Sequence, residues 1–499
     1  MHFGIKLLIA LICGVALSFA QSPYGLWVLI FPCFGLFYWL YQSLEKKRTV
    51  FLLSFVFSIG YFIAGLNWIG NALLVEGNEF KWVWPLAVIA LPTLLALFPA
   101  LYLTINHLLL KKALPRFVGF CVFLAFSEWV RGYAFTGFPW NLYGYAPASN
   151  LKIAQSLSLF GPYGLTFLTI FWGASLAYQG QCKKIIWAIS LTSLIVIYGY
   201  GHLRLSQNPT QYNESYEFHL IQPNIAQAQK WESDYLRPNF NAHYSLSNRP
   251  RDENKRHIFI WPETAIPPIL VHDPDVNNHI QSLVAENALL LSGTLTAEMG
   301  IDTNKPRYHN ALSAWSAEKT GQRIYAKSHL VPFGEYIPFQ QFIPLQTVTQ
   351  FNGFSRGQGA QTVTIDGYPS FSPLICYEII FPHKSISKAH PRPDYILNVT
   401  NDAWYGDSAG PRQHFQQARF RAIEQGIPVM RAANTGISGT IGAYGRMSAT
   451  SDLLKIQTVK SKLPLKTASR TPYGKLGDAP FLSLLIMLLG VCYILDRRK

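Results

Sequence analysis

Eight apolar runs constrain this chain more than any other feature. They fall near 4–20, 25–42, 50–74, 83–105, 117–134, 159–178, 185–201 and 480–495. Each is close to the ~17–25 residues that cross a hydrocarbon core as a helix. The stretch between the last two, 202–479, has the composition of an ordinary soluble domain. The pattern therefore predicts a seven-helix membrane domain over 1–201, a globular domain over 202–479, and an eighth helix with a short tail over 480–499. The first run ends in LSFA, as a cleaved signal would. Its basic flank is weak and a second run follows within a few residues, so it reads as a retained helix.

The short loops give an orientation. EKKR (45–48), KKALPR (111–116), CKK (182–184) and DRRK (496–499) are basic, whereas the alternate loops QSPYG, VEGNEFK and the one around Pro139 carry little positive charge. Basic loops stay cytoplasmic. The N-terminus is then inside, the seventh span exits, and the globular domain is extracytoplasmic. The expected location is the bacterial inner membrane, multi-pass, with a periplasmic domain. The net charge of +15 is accounted for by these clusters, and nucleic acid is not an expected partner.

Compartment gives the cysteines their meaning. Of Cys13, Cys33, Cys121, Cys182, Cys376 and Cys492, all but Cys376 lie in or beside apolar runs. A lone thiol where disulfides form is either an inert buried residue or a nucleophile. Around it, strand-like runs recur at 217–222, 257–263, 288–295, 372–378, 395–401, 427–434 and 439–445, with helical stretches at 273–286 and 411–426. Near-continuous apolar strands among helices predict an α/β domain with its sheet buried on both faces. Glu263 in FIWPETAIP, Lys327 and Glu335 in YAKSHLVPFGEYIP, and Cys376 in ICYEIIFP all follow strands, where open α/β sheets collect ligand-contacting groups. Chemically they suffice for nucleophilic catalysis. Glu263 can exchange the thiol proton, and Lys327 can hold thiolate and oxyanion together with a backbone N–H near Cys376. Singly, Glu263 reads more readily as a helix-start carboxylate, Lys327 as a surface ammonium and Glu335 as a loop ion-pair partner; only together do they point to catalysis.

Together these motifs resemble the carbon–nitrogen hydrolase, or nitrilase-like, superfamily. With the membrane frame the whole chain resembles its membrane-embedded branch, the apolipoprotein N-acyltransferase family. The matching stretches are SEWVRGYAFTGFPWNLYGY (127–145), QPNIAQAQKW (222–231), WPETAIP, KSHLVPFGEYIP, FSRG (354–357), ICYEIIFP, residues 401–436 and TPYGKLGD (471–478). The resemblance implies an α-β-β-α sandwich. It implies Cys376 as acyl-accepting nucleophile, Glu263 as base, Lys327 as oxyanion stabiliser and Glu335 as an assisting carboxylate. Tyr377 and Glu378, after the nucleophile, and Trp231 match positions near the acyl site. The implied reaction moves an acyl chain from a phospholipid to Cys376, then to the N-terminal amine of a diacylglyceryl-cysteine apolipoprotein, with no metal or cofactor. A monomer is the expected working unit, although no sequence feature sets the oligomeric state.

Other residues support a lipid substrate. The uncharged run 337–354, IPFQQFIPLQTVTQFNGF, is expected to dip into the outer leaflet as a lid, or else to be a packed loop. Glu128 and Arg131, three apart on the fifth span, are either a functional intramembrane pair or an ion pair fixing TGFPW (136–140). Trp140 and Tyr143 line a lipid route or serve as interface anchors. His309 and His414 have no second ligand at metal spacing and read as polar packing. Two rival readings are a membrane-tethered amidase, for which one anchor would suffice, and a transporter, which would want polar residues at mid-bilayer in several spans.

Overall fold

The computed structural model describes residues 1–76, 81–285, 287–299, 306–338 and 353–498. Among them, six helical segments are long and apolar enough to cross a membrane: Lys47–Leu74, Lys81–Leu109, Ala113–Tyr133, Leu157–Ser175, Lys183–Gln207 and Ala479–Arg497. The first two apolar runs form the shorter helices Phe3–Ser18 and Trp27–Gln42. At 1.5 Å per residue each is about 24 Å long, under the ~30 Å hydrocarbon thickness. Helices Lys183–Gln207 and Ala479–Arg497 turn apolar side chains such as Ile189, Leu191, Ile486 and Met487 outward, as lipid-facing helices do.

The fifth run carries a buried charge pair. Arg131 Nη2 lies 2.5 Å from Glu128 Oε2 and its Nε donates to Oε1 at 3.0 Å, with both side chains fully buried. The remaining guanidinium nitrogen donates to the carbonyls of Phe138 and Trp140 at 2.5 and 3.0 Å. This is the loop-fixing arrangement. Replacing Arg131 by methionine leaves a buried carboxylate unpaired and frees that loop. The expected cost is about 3–5 kcal/mol, read as a lowered unfolding midpoint in detergent, with Glu128→Gln/Arg131→Met recovering part of it.

Twelve strands occur among the described residues: β1 Tyr212–Gln222, β2 Arg256–Ile266, β3 Ala288–Met299, β4 Pro306–Trp315, β5 Gln322–Ala326, β6 Val363–Ile365, β7 Tyr368–Ile375, β8 Tyr395–Thr400, β9 Val429–Ala433, β10 Gly439–Ile441, β11 Met447–Thr450 and β12 Gln457–Pro464. They form two six-stranded sheets, ordered β12-β1-β2-β3-β4-β5 and β11-β10-β9-β8-β7-β6. Period-two alternation assigns the faces. Phe218, Leu220, Ile258, Ile260, Leu289 and Leu291 of the first sheet meet Phe371, Ile375, Leu397, Val399, Met430 and Ala432 of the second in one buried core. The odd-numbered Ile221, Phe259 and Trp261 pack outward under helices Ser233–Ser247 and Pro274–Val284. On the outer side of the second sheet, Ile396, Val429 and Ile441 pack with Phe415, Ala418 and Ala422 of helix Ala409–Gln425. The layers are helix, sheet, sheet, helix, the α-β-β-α order expected. The last layer is shared: the same core runs on into Phe34, Phe57 and Leu165 of the apolar helices and Tyr143 of the connecting segment. One close contact fixes the seam. Gly161, at φ +68°, breaks helix Leu157–Ser175, and a Cβ there would sit 2.1 Å from the ring of Tyr473.

Candidate active site

Three strand ends converge between the sheets. Glu263 lies near the end of β2, Lys327 just after β5 and Cys376 just after β7, all buried. Lys327 Nζ is 3.4 Å from Glu263 Oε1 and 2.9 Å from Glu335 Oε1. Asn310, on β4, donates through Nδ2 to both carboxylates, at 2.7 and 3.1 Å. Glu263 Oε2 accepts from the Asn401 backbone N–H at 2.8 Å, and Glu335 Oε2 from that of Val331 at 2.8 Å. Every carboxylate oxygen thus has a donor, which is what allows two acids to sit buried beside one ammonium.

The electrostatics define the resting state. Burial alone works against charge on Lys327, but the Glu335 and Glu263 carboxylates outweigh it and hold the ammonium well above its ordinary value. For Cys376, burial and the Glu263 charge push the thiol up to about 12, against the pull of Lys327. The resting sulfur is a neutral thiol beside a carboxylate, not a preformed thiolate. Alkylation of Cys376 by iodoacetamide is therefore expected to accelerate about tenfold per pH unit from about pH 7 to about pH 10. A rate already flat at neutral pH would indicate a thiolate–ammonium pair instead.

Cys376 sits on a strained turn. Its φ is +49°, a left-handed conformation uncommon for a side chain without backbone-mimicking groups. A short 3-10 helix, Cys376–Ile380, begins there. Glu378 clamps it: Oε2 accepts from the Ile375 N–H at 2.8 Å, while Oε1 accepts from Ser328 N, Ser328 Oγ, His329 N and Tyr325 Oη at 2.7–3.0 Å. Glu378 thereby ties the loop after Lys327 to the strand before Cys376, with both oxygens spent on the protein. Tyr377 Oη donates to the Gly137 carbonyl at 3.0 Å, inside the loop that Arg131 holds from below.

The remaining expected residues fall at different depths. Trp231 is partly buried, with Lys230 Nζ 5.7 Å from its ring. Trp140 is buried among Trp68, Tyr405 and His414, and its Nε1 donates to Gln413 Oε1 at 2.8 Å. Tyr143 is buried among the membrane helices against Phe34 and Tyr61. Of the run 337–354 expected to form a lid, residues 339–352 lie outside the described residues.

Sequence reasoning passed over several residues here. Asn310 is one. Lys230 is another: its Nζ donates to the Glu263 carbonyl at 2.8 Å, and burial draws its ammonium down to about 8 against the pull of Glu263 and Cys376. His414, which the sequence presents as polar packing, bridges the Cys376 carbonyl, 3.2 Å from Nε2, and Asp402 Oδ1, 2.9 Å from Nδ1; Arg431 donates to Asp402 Oδ2 at 2.8 Å. A buried His–Asp–Arg group thus supports the nucleophile turn from behind. The sequence carried one signal for it, the polar residues Asn398, Thr400, Asn401 and Asp402 closing an otherwise apolar strand.

Residues 13–175 match the apolipoprotein N-acyltransferase N-terminal domain and residues 220–473 match the carbon-nitrogen hydrolase domain. An apolipoprotein N-acyltransferase of Rhodopseudomonas palustris is 36% identical, covering 99% of this chain and 95% of its own. Those of Brucella melitensis and Allorhizobium ampelinum are each 37% identical, covering 92% and 89% of this chain and 90% and 87% of theirs. A solved amidase from Nesterenkonia sp. is 14% identical, with a TM-score of 0.37 over 56% of this chain and 99% of the amidase. Near-complete coverage at such identity, with both domain matches in order, places the chain in the apolipoprotein N-acyltransferase family.

Proposed function

We propose that this protein moves a fatty acyl chain from a phospholipid to Cys376 and then to the N-terminal amine of a diacylglyceryl-cysteine apolipoprotein. As the sulfur attacks the ester carbonyl, Glu263 takes the thiol proton. The oxyanion of the tetrahedral intermediate faces the Lys327 ammonium. Collapse expels the lysophospholipid alkoxide, which recovers the proton from Glu263, and leaves a thioester on Cys376. The acceptor amine then attacks the thioester. Glu263 takes its proton and passes it to the departing sulfur, regenerating the thiol. The amide is more stable than the thioester, so the second half runs downhill. Glu335 and Asn310 fix Lys327 and Glu263 relative to each other, and Glu378 and His414 are positioning residues for the nucleophile turn.

One observation carries the lipid-substrate reading. The turn that bears Cys376 is seated, through Tyr377, Ile379, Ile380 and Phe381, in the hydrophobic core of the membrane helices. An enzyme for small soluble amides has no need of that seat. The domain faces the periplasm in this account, because the basic loops alternate. Parity is unaffected by the two short first helices, which cross as a pair or not at all.

Incubating the protein in micelles with a phospholipid bearing an alkyne-tagged acyl chain is expected to label it through a hydroxylamine-labile bond. Cys376→Ala, purified at normal yield, should show no label. Persistence of the label in that variant refutes the nucleophile assignment. Release of ammonia from small amides, with no lipid labelling, would favour the amidase reading.

A further inference from the structure

A second cluster of chemically capable side chains lies at the other end of β2 from Glu263. His257 precedes Glu263 by six residues, about 20 Å along the strand. β1 and β2 run parallel with Glu217 opposite His257. Residues two apart on a strand share a face, so Glu217 and His219 of β1 present their side chains beside His257 of β2. Glu217 Oε1 is 3.3 Å from His219 Nε2 and 3.9 Å from His257 Nδ1, and the two ring nitrogens are 3.0 Å apart. A tetrahedral cation with bonds of about 2.0 Å spaces its donors about 3.3 Å apart. The three donor atoms already stand at nearly that spacing.

The surroundings orient the donors. His257 Nε2 lies 2.9 Å from the Asp252 carbonyl, which only accepts. Nε2 therefore carries the proton, and Nδ1 turns its lone pair into the cluster, the outer hydrogen bond that characterises a ligating histidine. His219 is stacked on Phe259, with ring centroids 4.6 Å apart, so its plane is fixed. The histidine side chains are 3% and 4% exposed and that of Glu217 is 20%, which leaves an approach from the carboxylate side. Lys460 lies 3.8 Å from Glu217 Oε1, on a side chain 46% exposed; its stem is free to swing into water when a cation takes its place.

We propose that Glu217, His219 and His257 form a binding site for a zinc-class divalent cation that ties β1 to β2. Two imidazoles and one carboxylate suit Zn²⁺ rather than Mg²⁺ or Ca²⁺. Without the ion, the His219 Nε2–H donates to His257 Nδ1. Binding moves that proton to His219 Nδ1, a change of tautomer with no net proton released, and a water completes the fourth position. The site is remote from Cys376 and takes no part in acyl transfer. The chain offers no spacing motif for it, since His219 and His257 are 38 residues apart and only strand pairing joins them.

The test uses the full-length protein in micelles, stripped with chelator and titrated with Zn²⁺ against a chromophoric competitor. One equivalent is expected to bind. Glu217→Gln and His257→Gln should each weaken it by about 100-fold or more while leaving acyl transfer unchanged. Co²⁺ should give the visible absorption of a tetrahedral site in the wild type only, and Zn²⁺ should raise the unfolding midpoint of the wild type only. If wild-type protein binds no stoichiometric Zn²⁺, or binds it equally after both substitutions, the cluster is a histidine–histidine hydrogen bond and the proposal falls.

Discussion

Exchange of Glu263 for glutamine is expected to lower acyl transfer by about 10²–10⁴-fold and, at the same time, to make Cys376 easier to alkylate at neutral pH. The two effects run in opposite directions for one reason. The carboxylate is the acceptor of the thiol proton, so its loss removes the base from both half-reactions. Its charge is also one of the forces that hold the thiol protonated, second only to burial. With that charge gone, Lys327 acts on the sulfur unopposed by Glu263 and the thiol pKa falls. The amide keeps the size of the side chain and an oxygen for the Asn310 or Asn401 donor, so the site is expected to stay folded. Parallel loss of transfer and of alkylation would mean that the substitution had only disordered the site. Retained transfer would remove Glu263 from the mechanism.

Replacement of Lys327 by methionine is expected to abolish transfer and to destabilise the protein by about 3–5 kcal/mol, because it leaves buried carboxylates without their counter-charge. Glu263 and Glu335 would then keep only neutral donors, the shared Asn310 amide and the Asn401 and Val331 backbone N–H groups. The two consequences are separable. Adding Glu335→Gln to Lys327→Met removes one of the uncompensated charges and should recover a large part of the unfolding midpoint. It should recover no transfer, since nothing replaces the ammonium opposite the oxyanion. Activity that returned with stability would show that Lys327 is a structural counter-ion alone.

The sequence made the strand-end chemistry legible and left its support hidden, for identifiable reasons. Among the described residues, apolar length located six helices long enough to span a membrane and two shorter apolar ones, because few sequences other than apolar helices run so long without charge. The buried central strands β1, β2, β3, β7, β8 and β9 announced themselves as apolar runs. The edge strand β12 did not: it carries Lys460 and Lys462, charges that guard an exposed edge and erase the apolar signal. Strand β4 was lost in the mixed run PRYHNALSAW, and with it Asn310, whose role appears only when the sheet brings it between two acids. His414 looked like packing because its partners, Asp402 and Arg431, are 12 and 17 residues away. The family resemblance marks Glu378 as one of the residues following the nucleophile, and so as a substrate contact. Its placement, with five donors from the protein, makes it a clamp.

The central claim is that one sulfur carries the acyl chain between two substrates. It is tested most directly by intact-peptide mass spectrometry of the protein after phospholipid alone, and again after adding a diacylglyceryl-cysteine lipopeptide. The account predicts a single acyl group on the peptide containing Cys376, up to one per chain, that disappears on addition of acceptor as N-acylated lipopeptide forms in equal amount. Transfer to the lipopeptide with Cys376 never acylated, or an acyl group that stays on Cys376 when acceptor is added, would contradict it.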